Sequence, residues 1–119
     1  MPIIKEWEHA GMTCALRHGA FDAPCGYVAV PEGHPLHGVQ PKSFREFIDS
    51  PLHSIDVHGG VTFHRTMRND PEQRWWVGFD MAHYDDFDEY DHTRCIRTDD
   101  ECIAETNRLA EQLAKMGSE

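Results

Sequence analysis

Apolar and polar side chains alternate through "WWVGFDMAH", residues 75–83. Alternation with a period of two is typical of a β-strand that turns one face toward a hydrophobic core. The apolar face of the expected strand carries Trp75, Val77, Phe79 and Met81. The other face carries Arg74, Trp76, Gly78 and Asp80. The pattern therefore predicts a strand over residues 74–81 with one buried face.

A second alternating segment precedes it, "IDVHGGVTFH", residues 55–64. Its apolar residues fall on odd positions, and the alternation continues through Gly59 and Gly60. A two-residue hairpin turn at these glycines would mix apolar and polar side chains on each face, whereas a continuous strand keeps the faces uniform. The segment therefore favours one strand over 55–64. The Asn-Asp-Pro turn signal that follows predicts that the two strands pair antiparallel.

This pairing predicts a shallow depression on the polar face of the two strands. With His64 opposite Arg74, the facing pairs are Thr62 with Trp76, Gly60 with Gly78, and His58 with Asp80. The two facing glycines leave the floor of the depression to the backbone. Facing Cβ atoms lie about 4.5–5.5 Å apart, so a hydrogen bond between His58 and Asp80 is feasible. The candidate ligand-binding residues are His58, Gly60, Thr62, Trp76, Gly78 and Asp80.

Three interpretations of this face stay open. In the first, the glycines mark a bend or a close approach, and the His58–Asp80 pair is structural. In the second, the cofactor is a divalent metal ion such as zinc, and its ligands are His58, Asp80 and His83. Asp56 or Asp86 is a further donor in that case.

In the third interpretation, the Trp76 face binds a small polar ligand or a protein. The run "DMAHYDD", residues 80–86, matches no specific metal-binding motif. The sequence also ties no nucleophile to the His58–Asp80 pair. Catalytic residues are therefore not assigned, and enzymatic activity stays open.

The remaining segments predict a hairpin and two helices. The hairpin joins "MTCALR" (12–17) to "GYVAV" (26–30), with Cys14 and Cys25 on opposite faces. Pro41 fits the first turn of a short helix near 41–49, which ends at Ser50-Pro51. Its apolar stripe is Phe44, Phe47 and Ile48.

A longer helix is predicted at the C-terminal end of the chain, over residues 98–117. Thr98 and Glu101 fit a capping box at its start. Its core-facing stripe is Ile103, Thr106, Ala110 and Leu113, with Leu109 beside it. The expected fold is a single α+β domain over residues 1–119. It has an antiparallel sheet of about four strands, with the C-terminal helix packed on one face and the short helix near 41–49 at an edge.

The composition excludes several function classes. The chain has 119 residues, 39% of them hydrophobic, and a formal net charge of −10. It lacks the basic footprint of nucleic-acid binding and the long apolar run of a membrane span, so neither direct nucleic-acid binding nor membrane association is expected. No signal peptide is evident, which predicts a cytoplasmic protein with its four cysteines as thiols.

Acidic residues are concentrated between Asp80 and Asp91, where six occur without any Lys or Arg. Such runs are usually solvated loops, and less often they form a cation site or a surface for a basic partner.

Four motifs together resemble a family of small bacteriophage- and prophage-encoded proteins of uncharacterised activity. They are "CGYVAVPEGHPLHG", "DVHGGVTF", "WWVGFDMAH" and the "ECIAETNRLAEQLA" helix. The resemblance covers about Cys14 to Ala114 and implies an accessory protein in the cytoplasm of the host cell. It implies no catalytic residues. An alternative in that context is a non-enzymatic acidic inhibitor that binds a host defence protein.

Overall fold

The computed structural model describes residues 2–118, which form five strands and two α-helices. The strands are β1 (Lys5–His9), β2 (Met12–His18), β3 (Pro24–Val30), β4 (Phe63–Thr66) and β5 (Trp75–Asp80). The helices are α1 (Phe44–Asp49) and α2 (Asp99–Gly117). Short 3₁₀ turns occupy Ala20–Asp22, Pro51–Ser54 and Tyr84–Asp86. Among these described residues, no helix combines the length and apolar character needed to cross a membrane.

The five strands form one antiparallel sheet in the order β1-β2-β3-β5-β4. The α+β prediction is confirmed, with one strand more than expected. The added strand is β1, whose only large apolar residue is Trp7, so its alternation is weak in the sequence. Trp7 Nε1 donates to Asn107 Oδ1 at 2.8 Å, which ties this edge strand to α2.

The two faces of the sheet bury different side chains. Helix α2 covers the face that carries Cys14, Val28, Val77 and Phe79. The predicted capping box is confirmed at Thr98, but the buried stripe begins at Cys102 and leaves Ile103 half-buried. The buried residues of α2 are Cys102, Thr106, Leu109, Ala110 and Leu113.

The opposite face holds a second cluster that includes Cys25, Tyr27, Met67 and Trp76. The expectation of an accessible Trp76 is wrong, because its side chain is 0% exposed. Its Nε1 donates to the buried carboxylate of Asp70 at 3.0 Å. Trp76 therefore offers no stacking face to a ligand.

The continuous strand over 55–64 is also wrong, because only Phe63–Thr66 pairs as a strand. A tight turn interrupts the segment, with Gly60 N donating to Val57 O at 2.9 Å and positive φ at both Gly59 (+72°) and Gly60 (+81°). The register differs too, since Gly78 lies opposite Phe63, three residues beyond the predicted Gly60. The apolar residues before and after the turn are buried as predicted, namely Ile55, Val57 and Val61. An irregular loop that buries every second side chain therefore shows the same alternation of apolar and polar residues as a strand.

The short helix begins at Phe44 and not, as predicted, near Pro41. Ser43 is its N-cap, and the Ser43 hydroxyl accepts a hydrogen bond from Glu46 N. Its predicted apolar stripe is mostly exposed. Phe44 is 78% exposed and Ile48 is 38% exposed, and only Phe47 packs on the core.

Candidate metal centre

A tight turn and a 3₁₀ turn bring together three possible metal ligands: His58, His83 and Asp86. His58 lies in the turn that precedes β4, and the other two lie just after β5. Each of the three offers one donor atom, and these atoms lie within 4.8 Å of one another. The rings of the two histidines meet edge to face, with their centroids 5.9 Å apart.

Asp86 is the buried centre of the cluster, with a side chain that is 0% exposed. His58 Nε2 lies 2.7 Å from Oδ1 and 2.9 Å from Oδ2, and Arg97 Nε donates to Oδ1 at 2.6 Å. The backbone N–H of His83 donates to Oδ2 at 3.0 Å. Burial raises the pKa of the Asp86 carboxyl, but the hydrogen bonds from His58 and Arg97 outweigh burial and lower it below its ordinary value. Asp86 is therefore an anion at neutral pH.

His83 presents a ring nitrogen that is not satisfied by hydrogen bonding. Its Nδ1 is shielded from solvent and makes no hydrogen bond with any residue in the range 2–118. This nitrogen lies 3.5 Å from Asp86 Oδ2 and 3.6 Å from Asp80 Oδ1. A buried polar atom without a partner is costly, so its placement between two carboxylates needs an explanation.

Gly59 has no side chain, and this leaves room for the His83 ring to pack against its backbone. A Cβ atom on Gly59 would lie 2.2 Å from Cε1 of that ring, and the backbone φ of +72° disfavours any other residue. Gly60 has a similar φ of +81°, but a Cβ there would meet nothing within 4 Å. The first glycine therefore provides both a turn and a close approach, and the second provides only the turn.

The structure rearranges the predicted site. His58 does not bond to Asp80, whose Oδ2 accepts from Thr62 Oγ1 at 2.9 Å and whose Oδ1 accepts from Ala82 N at 3.0 Å. Gly78 lies opposite Phe63 and Tyr27 instead of Gly60, so the glycine-floored depression is not formed.

Within the predicted metal set, the two histidines do come together, while Asp86 takes the central place expected for Asp80. Asp56, the other donor considered, is 86% exposed and lies near Arg108.

Two members of the cluster were not predicted as central from the sequence. Asp86 belongs to the acidic run that typically forms a solvated loop, and Arg97 lies beyond the end of that run. One local signal exists, because the Asp86 carboxylate accepts a hydrogen bond from the backbone N–H of His83, three residues before it at the start of the 3₁₀ turn. The approach of Arg97 and His58 depends on tertiary packing.

Two imidazoles and a carboxylate form a donor set that suits zinc and related divalent ions. Metal ligation requires neutral imidazole, so an ion held here would take the place of the proton between His58 Nε2 and the Asp86 carboxylate. The guanidinium of Arg97 would stay beside that carboxylate.

Comparison of the chain with family models, with curated proteins and with solved structures gives no match.

Proposed function

We propose that the protein binds a divalent transition-metal ion, with zinc as the first candidate, through His58, His83 and Asp86. The observation that carries this proposal is the shielded Nδ1 of His83, which makes no hydrogen bond in the described chain and lies beside the Asp86 and Asp80 carboxylates. An ion bound by this nitrogen satisfies it, and the anionic Asp86 supplies charge compensation.

Three protein ligands leave a coordination position for water or for a small polar ligand. An open cleft of about 340 Å³ lies beside one of the three, since it is bordered by His58, Arg97 and the exposed side of α2. Both charge signs line it, including Glu101 and Arg108. The proposal assigns binding, and no reaction is attached to it.

In the biological context that the phage-family resemblance implies, such a protein is a small accessory factor in the cytoplasm of an infected cell. The alternative of an acidic inhibitor has one supporting observation. Tyr84 and Tyr90 are 81% and 92% exposed within the acidic run, near the exposed carboxylates of Asp85 and Glu89. Exposed aromatic side chains are enriched at protein interfaces, and these carboxylates suit a basic partner. Salt-sensitive capture of a host protein that is lost on reversal of both charges supports this alternative.

Elemental analysis tests the metal proposal directly. Untagged protein is purified without chelators, and its metal content is measured by plasma mass spectrometry beside the His83→Ala variant. The matched control is His92→Ala, because His92 is an exposed histidine nearby in sequence whose Nε2 contacts the Glu89 carbonyl and whose ring packs against exposed Tyr84. We expect close to one equivalent of metal in the wild type and the control, and little in His83→Ala.

A zinc titration by calorimetry provides the second readout. Binding should release protons and weaken as the pH falls below the ordinary histidine range of about 6.5, because protons compete for imidazole nitrogen. Absence of metal after purification, together with no heat of zinc binding at neutral pH, would overturn the proposal. Equal metal content in the His83→Ala and wild-type proteins would contradict the assigned ligand set.

A further inference from the structure

The face of the sheet opposite α2 carries a positively charged cleft. Its volume is about 1000 Å³, and its lining is Arg17, Phe63, Arg65, Thr66, Met67, Arg68, Asn69 and Gln73. Three of the chain's eleven Lys and Arg residues thus border one cleft of a protein whose net charge is −10. None of the lining residues carries a carboxylate.

Aromatic rings hold two of the guanidinium groups in place. The guanidinium carbon of Arg17 lies 4.5 Å from the Tyr27 ring centroid, and its Nη2 donates to the Tyr27 hydroxyl at 3.1 Å. Arg17 and Arg65 also approach the Phe63 ring, at 5.3 Å and 4.9 Å from its centroid. Such cation–π contacts restrict an arginine side chain, and at Arg65 they leave the N–H donors for a ligand.

Two arginines of this cleft, Arg65 and Arg68, are exposed and form no ion pair with any residue from 2 to 118. Five arginines elsewhere in the described chain do form ion pairs, namely Arg45, Arg74, Arg94, Arg97 and Arg108. The closest acidic residue in sequence is Asp70, which is buried and already accepts from Arg74 and from the Trp76 indole. The negative charge of Asp70 is compensated by Arg74, so Asp70 does not cancel the positive electrostatic potential around Arg65 and Arg68.

We propose that this cleft binds a small molecule that carries two or more phosphate groups. Arginine presents a planar set of donors that matches phosphate oxygens in a bidentate arrangement. The Thr66 hydroxyl and the Asn69 amide border the same cleft and add neutral donors. The volume lies at the upper end of the range for small-molecule sites. The net charge of −10 repels an extended polyanion such as nucleic acid, and this favours a compact ligand.

Calorimetry with inorganic triphosphate and with ATP tests the proposal, in a buffer of low ionic strength that contains EDTA. The variants are Arg65→Ala and Arg68→Ala. The matched control is Arg45→Ala, which removes an exposed arginine of α1 that pairs with Asp49. Wild-type protein should bind triphosphate, and each cleft variant should weaken binding about 10- to 100-fold, as expected for loss of a charged hydrogen-bonding group. Arg45→Ala should change the affinity less than twofold.

The two probes identify which part of the ligand is recognised. Equal affinities for triphosphate and ATP assign recognition to the phosphates, and tighter binding of ATP adds a contact to the nucleoside; both results support the proposal. No binding of either probe at millimolar concentration overturns it, as does an equal loss in Arg45→Ala. Binding of a single-stranded oligonucleotide without either small probe also overturns it. Because EDTA removes free metal, His83→Ala should bind triphosphate normally, which separates this cleft from the proposed metal centre.

Discussion

Replacement of Asp86 by alanine should destabilise the protein strongly even when no metal is present. The buried carboxylate accepts hydrogen bonds from His58, from Arg97 and from the backbone of His83. Alanine leaves all three donors without this acceptor and removes the anion that compensates Arg97. The side chains of His58 and Arg97 are 28% and 29% exposed, so they regain part of their hydration after the change.

The expected size of the effect follows from these contacts. A hydrogen bond to a charged group contributes about 1.5–3 kcal/mol, and removal of one partner from a fully buried ion pair costs about 3–5 kcal/mol. Partial hydration of the two side chains reduces the total, and the contributions are not additive, so we expect about 2–4 kcal/mol. With an unfolding entropy of about 2.1 cal/mol/K per residue, this lowers Tm by about 8–16 °C.

Thermal and urea unfolding in EDTA, followed by circular dichroism, measure this difference. The control is Asp85→Ala, because Asp85 is the exposed neighbour in the same 3₁₀ turn. This control should change stability by less than about 0.5 kcal/mol. If Asp86→Ala unfolds at the same urea concentration as Asp85→Ala, then the carboxylate is not the buried acceptor described above.

The pH dependence of the free energy of unfolding independently checks that the ionised form of Asp86 stabilises the protein. The native pKa of Asp86 lies below its ordinary value, so its contribution is fully present above the unfolded pKa of about 4. That contribution is lost as the pH falls through the native pKa. The stability difference between wild type and Asp86→Ala should therefore narrow as the pH falls below about 4. A difference that widens below pH 4 would contradict the assignment.

Two further predictions concern other parts of the structure. Gly59→Ala should destabilise the protein by about 1 kcal/mol more than Gly60→Ala, because both glycines adopt positive φ but, of the two, only Gly59 lies against the His83 ring. Urea unfolding of both variants measures the difference, and equal losses of stability would contradict the prediction. Burial raises the pKa of the Cys14 thiol to about 12. In the native protein at pH 8, a thiol reagent should therefore modify half-buried Cys95 well before Cys14. Peptide mass spectrometry of the modified protein measures this order.

Regular elements with a clear period were predictable from the sequence. The β2–β3 hairpin and α2 follow the expected alternation and capping signals, since local side-chain patterns directly reflect burial there. Residues 55–64 show the limit of this reasoning. Val57 and Val61 alternate with polar residues because a loop with a turn buries them, and period alone does not distinguish this loop from a strand.

The candidate site was predictable only in part, for a related reason. The two histidines of the predicted metal set do lie together, but the choice of carboxylate depended on the strand register, which was wrong by three residues. Asp86 lies 28 residues from His58 and 11 from Arg97 along the chain, so no short motif contains the three of them. Their contact arises from the packing of two loops beside the start of α2.

The proposal gives the Asp86 cluster a metal-binding role beside its structural one, and two substitutions distinguish these roles. Asp86 holds donors from three segments, so its loss should reduce stability whether or not metal is bound. Within residues 2–118 the His83 ring makes no hydrogen bond through Nδ1, so His83→Ala should cost little stability in EDTA. Under the proposal, the same substitution removes the stabilisation expected from zinc in the wild type. At a zinc concentration one hundred times Kd, that stabilisation is about 2.7 kcal/mol. If the cluster is structural and holds no metal, zinc should leave the free energy of unfolding of both wild type and His83→Ala unchanged. Unfolding of the variants with and without zinc therefore distinguishes the two roles.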